Sequence, residues 1–401
     1  MQHHPVLGQV LFGYSPMIDK QRALAATRIT VFPYRPDASA DGAGLVQALA
    51  EAFPAPEGGA KAAPTIVLNT TSEAMLDAVI AADVPPNVLI EVPAFLVADP
   101  ARAELLRALH ASGRMLAISG RPASELPREL LPCFRHAIVD FYDDRRIAPP
   151  GPGTPPRSIT TVNSGVRTAA EMETAFGRGA VGVIGWPMDD EIKPLARGAV
   201  APDLRGIVEL MNRVDREEPA ERMEHVLTAD PTLAFRLLRY INSAAFGLRV
   251  EVTSFKHALM LLGYQRLKRW LALLLASGSK DPTLRPVMYV AARRGLIMEE
   301  LSRSWDDDGM RGEMFICGVF SLLNHLMRQP FSELMNSVPV PERVRQSLLS
   351  DGPYTPHLAL VHAIEESSAA DIRDAAERLM LAPAELNRAL LAALSVARQF
   401  D

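Results

Sequence analysis

The stretch NSGVRTAAEMETAFGRG, residues 163–179, joins a strand-like run to a helix start. Thr168 is placed to act as N-cap, and Glu171, three residues on, to reach back as the second half of a capping box. Just before that helix, where a strand end would deliver side chains to a site, stand Ser164 and Arg167 in place of acids. The residues thus pose a question: an active site, or only its frame. Other reactive groups are thinly spread. Cys133 in LPCF and Cys317 in FICG are far apart in apolar surroundings, which argues against a disulfide framework or thiolate metal site and for two buried small hydrophobes in a reducing compartment. His3 and His4 read as a chain end rather than a cation site.

The elements that must hold such a site are bounded by composition. A chain of 401 residues exceeds what one core usually organises, and two domains are expected. With 48% hydrophobic and 22% charged residues it is globular rather than disordered. The net charge of -5 argues against a general grip on a nucleic acid polymer, which needs a clustered basic surface. The longest apolar run, Trp270 to Ala276, falls far short of the roughly 20 residues that span a bilayer. The start, MQHHPVLGQV, lacks the pattern of a signal peptide, so a cytoplasmic location with no membrane span is expected.

Over residues 1–195 short β-rich runs alternate with helical stretches. TRITVF, TIVLNT, NVLIEV, RMLAIS, HAIVDF, SITTV and VGVIGW are seven candidate strands, and segments such as 72–82 and 101–113 carry apolar residues at helical spacing between them. That rhythm predicts a parallel sheet with crossover helices, closed as a barrel. Two Pro/Gly-rich stretches, 54–64 and 148–158, read as loops, the second in place of a crossover helix. Over 196–401 the pattern is helical throughout. Asp230 and Pro231 open a helix closed by Gly247, Ser254 opens another that Gly263 interrupts, and further helices are expected at 287–303 and 312–328.

The run VLTADPTLAFRLLRYINSAAFGLRVEVTSFKHALMLLGYQRLKRW, residues 226–270, with MFICGVFSLLNHLM at 314–327, resembles the HDOD domain, a helical relative of the HD phosphohydrolases. No histidine here is followed by aspartate, and His225, His257, His325, His357 and His362 are scattered. The resemblance therefore implies an output or interaction module without hydrolysis. A candidate surface comprises Arg236, Arg239 and Asn242 with Arg266, Lys268 and Arg269, the alternative being a solvated helix face; Trp270 reads as core.

The first half resembles the EAL domain, a (β/α)-barrel phosphodiesterase of cyclic di-GMP, and the order of the two resembles EAL-HDOD signalling proteins. What the resemblance implies can be followed position by position. ATRITVF places Arg28 where the family has its first glutamate, Asn69 in VLNTT stands at the metal-binding asparagine, and Glu91 in LIEVPA stands at the next glutamate. Ser119 and Gly120 replace paired aspartates, Ile138 the lysine, Ser164 and Arg167 two glutamates, and Ile184 the glutamine, whereas Asp140 remains. Asn69, Glu91 and Asp140 do not suffice for two Mg²⁺ ions. The expectation is an α/β plus all-α protein, a degenerate EAL-like barrel (1–195) followed by an all-helical HDOD domain (196–401). It is expected to use no cofactor or metal, to be no enzyme, and to act on other signalling proteins or a second copy of itself. The alternative is a sensor that binds cyclic di-GMP without cutting it. Two outcomes are open for Arg28 and Arg167: they pair with Glu91 and Asp140, or they face solvent.

Overall fold

The computed structural model describes residues 4–35, 41–55, 65–97, 99–122, 126–146, 159–190, 202–229, 252, 254–276 and 281–398. Eight strands close a barrel in chain order: β1 (Val10–Asp19), β2 (Leu24–Pro33), β3 (Ile66–Thr70), β4 (Val88–Pro93), β5 (Met115–Ser119), β6 (Phe134–Asp140), β7 (Thr160–Val166) and β8 (Gly182–Gly185). Strands β2 to β8 pair in parallel, while β1 runs antiparallel to both β2 and β8. The seven expected strands are β2 to β8. The sequence reading missed β1, because Gly13 and Pro16 interrupt its β signal; a hairpin at 20–23 makes it the antiparallel stave that closes the barrel.

One buried residue from every strand meets in the barrel interior: Met17, Ala26, Val67, Leu89, Ala117, Ile138, Val162 and Ile184. Side chains alternate across a strand, so this ring fixes which residues point inward. Burying each large member stabilises the fold by roughly 1.5–3 kcal/mol. Outside the barrel, the helix Ala169–Gly177 lays Met172 and Ala175 on Ile18, Phe141, Val166 and Val183. The crossover helices Glu73–Ala81 and Pro100–Ala111 lie where the spacing predicts them, N-capped by Ser72 and Asp99.

The chain folds into two compact units. One compact unit comprises Met1–Asp190 together with His362–Leu391, and the other Glu191–Val361 with Ala392–Asp401. The return of 362–391 to the barrel has a visible cause. Asn387, fully buried, donates from Nδ2 to the carbonyls of Leu7 and Val10, both at 2.8 Å, and Arg373 donates to the Tyr34 carbonyl at 2.9 Å.

The described residues of the second unit form helices and no strand. Ser254 opens Phe255–Ala276, which is broken at Gly263 (φ 68°, ψ 172°) as expected, and Trp270 to Ala276 are buried. The helices Arg285–Leu301 and Asp308–Phe320 approach closely through two glycines. A Cβ on Gly318 would lie 2.5 Å from the Arg294 backbone, and one on Gly295 would lie 2.5 Å from Val319. The helix expected over 312–328 is split at Ser321–Leu322, with Leu323–Met327 as a separate short helix. The helix expected from Asp230 lies outside the described residues. Among the described residues no single helix is long and apolar enough to cross a membrane.

Candidate functional site

In parallel barrels chemistry is performed at the carboxyl ends of the strands. At that end Arg28 on β2 reaches across β3 to Glu91 on β4. Its Nε donates to Oε2 at 2.8 Å and its Nη2 to Oε1 at 2.6 Å, a two-pronged fork on a carboxylate with no exposed side-chain surface. Of the two outcomes open for Arg28, pairing with a carboxylate is the one present. Asn69 donates to the Thr30 hydroxyl at 3.4 Å, directly across the β2–β3 pair. Ser119 ends β5 half-buried, and Gly120 follows with φ +80°. Ile138 and Ile184 belong to the buried interior ring, so these two positions serve packing.

Arg167 pairs with neither Glu91 nor Asp140. Met188 and Asp189 donate their backbone amides to the Arg167 carbonyl at 2.8 and 2.9 Å, which brings the Asp189 carboxylate to the Arg167 Nε at 2.7 Å. The same guanidinium, half-exposed, also meets Glu366 at 3.3 Å. Asp140 instead turns back to accept the Tyr142 amide at 2.9 Å, and Ser164 lies half-buried beside it in the β6–β7 register. The Thr168–Glu171 capping box is fully formed. Glu171 additionally accepts from the Tyr142 hydroxyl and the Arg167 amide, which hold its carboxyl below the usual range against the opposing effect of burial.

A buried charge cluster that sequence reasoning missed lies beside this rim. Asp144, almost wholly buried, takes Arg146 Nε and Nη2 and the Asn163 amide, which hold its carboxyl far below the ordinary carboxylate range. The local signal was the run DDRR at 143–146. Asp144, Arg145, Arg146, Thr174, Gly177 and Arg178 line a cavity of about 520 Å³. Arg178 is committed to the carbonyls of Phe141 and Asp144 and to the face of the Phe141 ring.

In the helical unit Lys268 pairs with Asp215 at 2.7 Å, and Arg269 pairs with Glu299 at 2.5 Å while covering the Phe315 ring. Arg266 is exposed. Arg236, Arg239 and Asn242 lie outside the described residues. Half-buried His357 stacks edge-on against Trp305, and burial lowers its pKa. Among the described residues no three His, Cys, Asp or Glu side chains converge as a metal-binding group. At the strand ends the donor set is a carboxylate already filled by a guanidinium, an amide on a threonine and an aspartate capping its own turn. It does not fit two oxygen-coordinated divalent cations.

The fold and rim define a two-module protein, a closed barrel of eight strands and a helical unit. Comparison with known proteins gives one module its family: residues 203–330 match the HDOD domain, and the chain carries that domain there. Among curated proteins it is 28% identical over 165 residues to the uncharacterized protein YuxH of Bacillus subtilis, covering 40% of each chain. It is 24% identical over 147 residues to the cyclic di-GMP phosphodiesterase CdgJ of Vibrio cholerae, covering 36% of this chain and 34% of that one. These matches span well under half the length of either relative. Among solved structures, the Klebsiella pneumoniae BlrP1 complex with calcium and cyclic di-GMP aligns at 19% identity and a TM-score of 0.33, over 47% of this chain and 57% of that one. A standalone EAL protein from Vibrio cholerae, bound to cyclic di-GMP, aligns at 13% identity and a TM-score of 0.30, over 45% and 91%.

Proposed function

We propose that this protein is a non-catalytic regulator of bacterial signal transduction, in which a degenerate EAL-like barrel is joined to an HDOD output module that acts by binding other proteins. The observation that carries this reading is the Arg28 fork on Glu91. A carboxylate that would face a metal in an EAL enzyme is neutralised instead by a fixed guanidinium, which satisfies the buried charge and keeps the frame while displacing the cation. The replacements at Ser119, Gly120, Ser164 and Ile184 point the same way, since none supplies an anionic ligand. The partners are other signalling proteins or a second copy of the chain, and exposed Arg266 belongs to the candidate surface.

The test is a calorimetric titration of the full-length protein with cyclic di-GMP, with and without Mg²⁺, followed by chromatography of the nucleotide. No heat and no linear product are expected. Micromolar binding with intact nucleotide would replace the reading with that of a sensor, and linear product would overturn the non-catalytic claim.

A further inference from the structure

Because β1 runs antiparallel to its neighbours, its beginning lies at the carboxyl ends of the other strands, the mouth of the barrel. Met17 belongs to the interior ring, so alternation puts Ser15 and Gly13 on the same interior face, successively nearer the mouth. Gly13 lies opposite Thr30, which is 4% exposed, and Ser15 lies opposite Arg28.

The space a side chain on Gly13 would occupy is already taken. An ideal Cβ there would lie 2.8 Å from the Ser367 Cβ and 2.9 Å from its Cα, so it meets backbone that no rotamer change can move. Gly13 itself has no positive φ; close approach, not backbone conformation, requires the glycine. Ser367, at φ +53°, sits in the turn between the helices Thr355–Glu365 and Ala369–Arg378. That turn is fastened around the rim. The Trp186 indole, just past β8, donates to the Glu365 carbonyl at 2.8 Å, and Arg167, just past β7, meets Glu366. Arg373 bonds the Tyr34 carbonyl past β2, and Asn387 bonds Leu7 and Val10 at the entry to β1. All five barrel partners lie at the mouth.

We infer that the turn Glu365–Ser368 is a built-in plug of the barrel mouth, seated over the interior face of Gly13 and Thr30, and that a small molecule reaches that interior only when 362–391 lifts away. The inference stands whether or not the barrel is catalytic.

Thiol labelling of the full chain tests it. Thr30→Cys places a reporter beneath the plug, while Cys133 and Cys317, both buried and with thiol pKa values raised by burial, report unfolding of the barrel and of the helical unit. A small maleimide should label Cys at 30 slowly. It should label at least tenfold faster when Trp186→Phe and Arg373→Ala, or separately Asn387→Ala, release the segment, with Cys133 still protected. Fast labelling in the Thr30→Cys protein itself, or no acceleration on release, overturns the plug. Where a release variant exposes Cys133 as well, native-state hydrogen exchange of the unaltered protein decides. Residues 362–391 should open at lower denaturant than β3 to β7, and opening only together with those strands overturns the inference.

Discussion

Arg28 and Glu91, separated by 62 intervening residues in the chain, meet through two parallel hydrogen bonds of 2.8 and 2.6 Å, with the carboxylate wholly buried. Removing one partner strands the other. Arg28→Ala should lower the stability of the barrel by about 3–5 kcal/mol, whereas replacing both at once, Arg28→Met with Glu91→Leu, should cost under about 1 kcal/mol or stabilise. Arg28→Lys should recover only part of the loss, because an ammonium cannot reproduce the planar fork. Denaturant midpoints of the barrel transition for the four proteins form the check. Equal losses in the single and double variants would show that the pair contributes by packing rather than by charge.

The second arginine at the rim behaves differently. Arg167 is half-exposed and shares two carboxylates that are themselves half-exposed. Arg167→Ala should change stability by no more than about 1 kcal/mol, the usual scale of a surface pair. A loss comparable to that of Arg28→Ala would mean that the rim is more rigidly organised than its exposure implies.

Burial, reinforced by neighbouring Arg135, lowers His136 from 6.5 to about 4, and its Nδ1 lies 2.6 Å from the Thr160 hydroxyl. The unfolded chain takes up a proton near pH 6.5 while the folded chain resists until about pH 4. Stability from this group is therefore full above 6.5 and declines as the pH falls from 6.5 toward 4. In thermal melts across that range, His136→Gln should show a shallower decline in Tm than the parent. Parallel curves would remove His136 as the cause.

Much of this was legible in the sequence because its signals are local. The Thr168–Glu171 capping box, the break at Gly263 and the strand runs around Asn69, Glu91 and Asp140 each depend on neighbours within a few residues. Strand β1 was not legible, since its role comes from pairing with β2 and β8 rather than from its own composition. Nor was the return of 362–391 to the barrel, which depends on Asn387 finding carbonyls about 380 residues away. At the rim the residue types left pairing and solvent exposure both open, and Arg28 takes the pairing. For Arg167 they did not decide between the two, because the backbone bonds from Met188 and Asp189 that bring Asp189 to it leave no mark in sequence.

The helical unit separates groups that look equivalent in the run QRLKRW. Arg269 holds Glu299, whose carboxyl is pushed up by burial and drawn back by the guanidinium, and it also covers Phe315 at 4.7 Å. Arg266 is exposed. Arg269→Ala should therefore cost about 1–2 kcal/mol through the lost pair and cation–π contact, and Arg266→Ala under about 0.5 kcal/mol. If this face binds a protein partner, Arg266→Glu should abolish capture by that partner without moving the melting transition. Loss of capture accompanied by a lowered Tm would assign Arg266 to the fold, and remove it from the interaction surface.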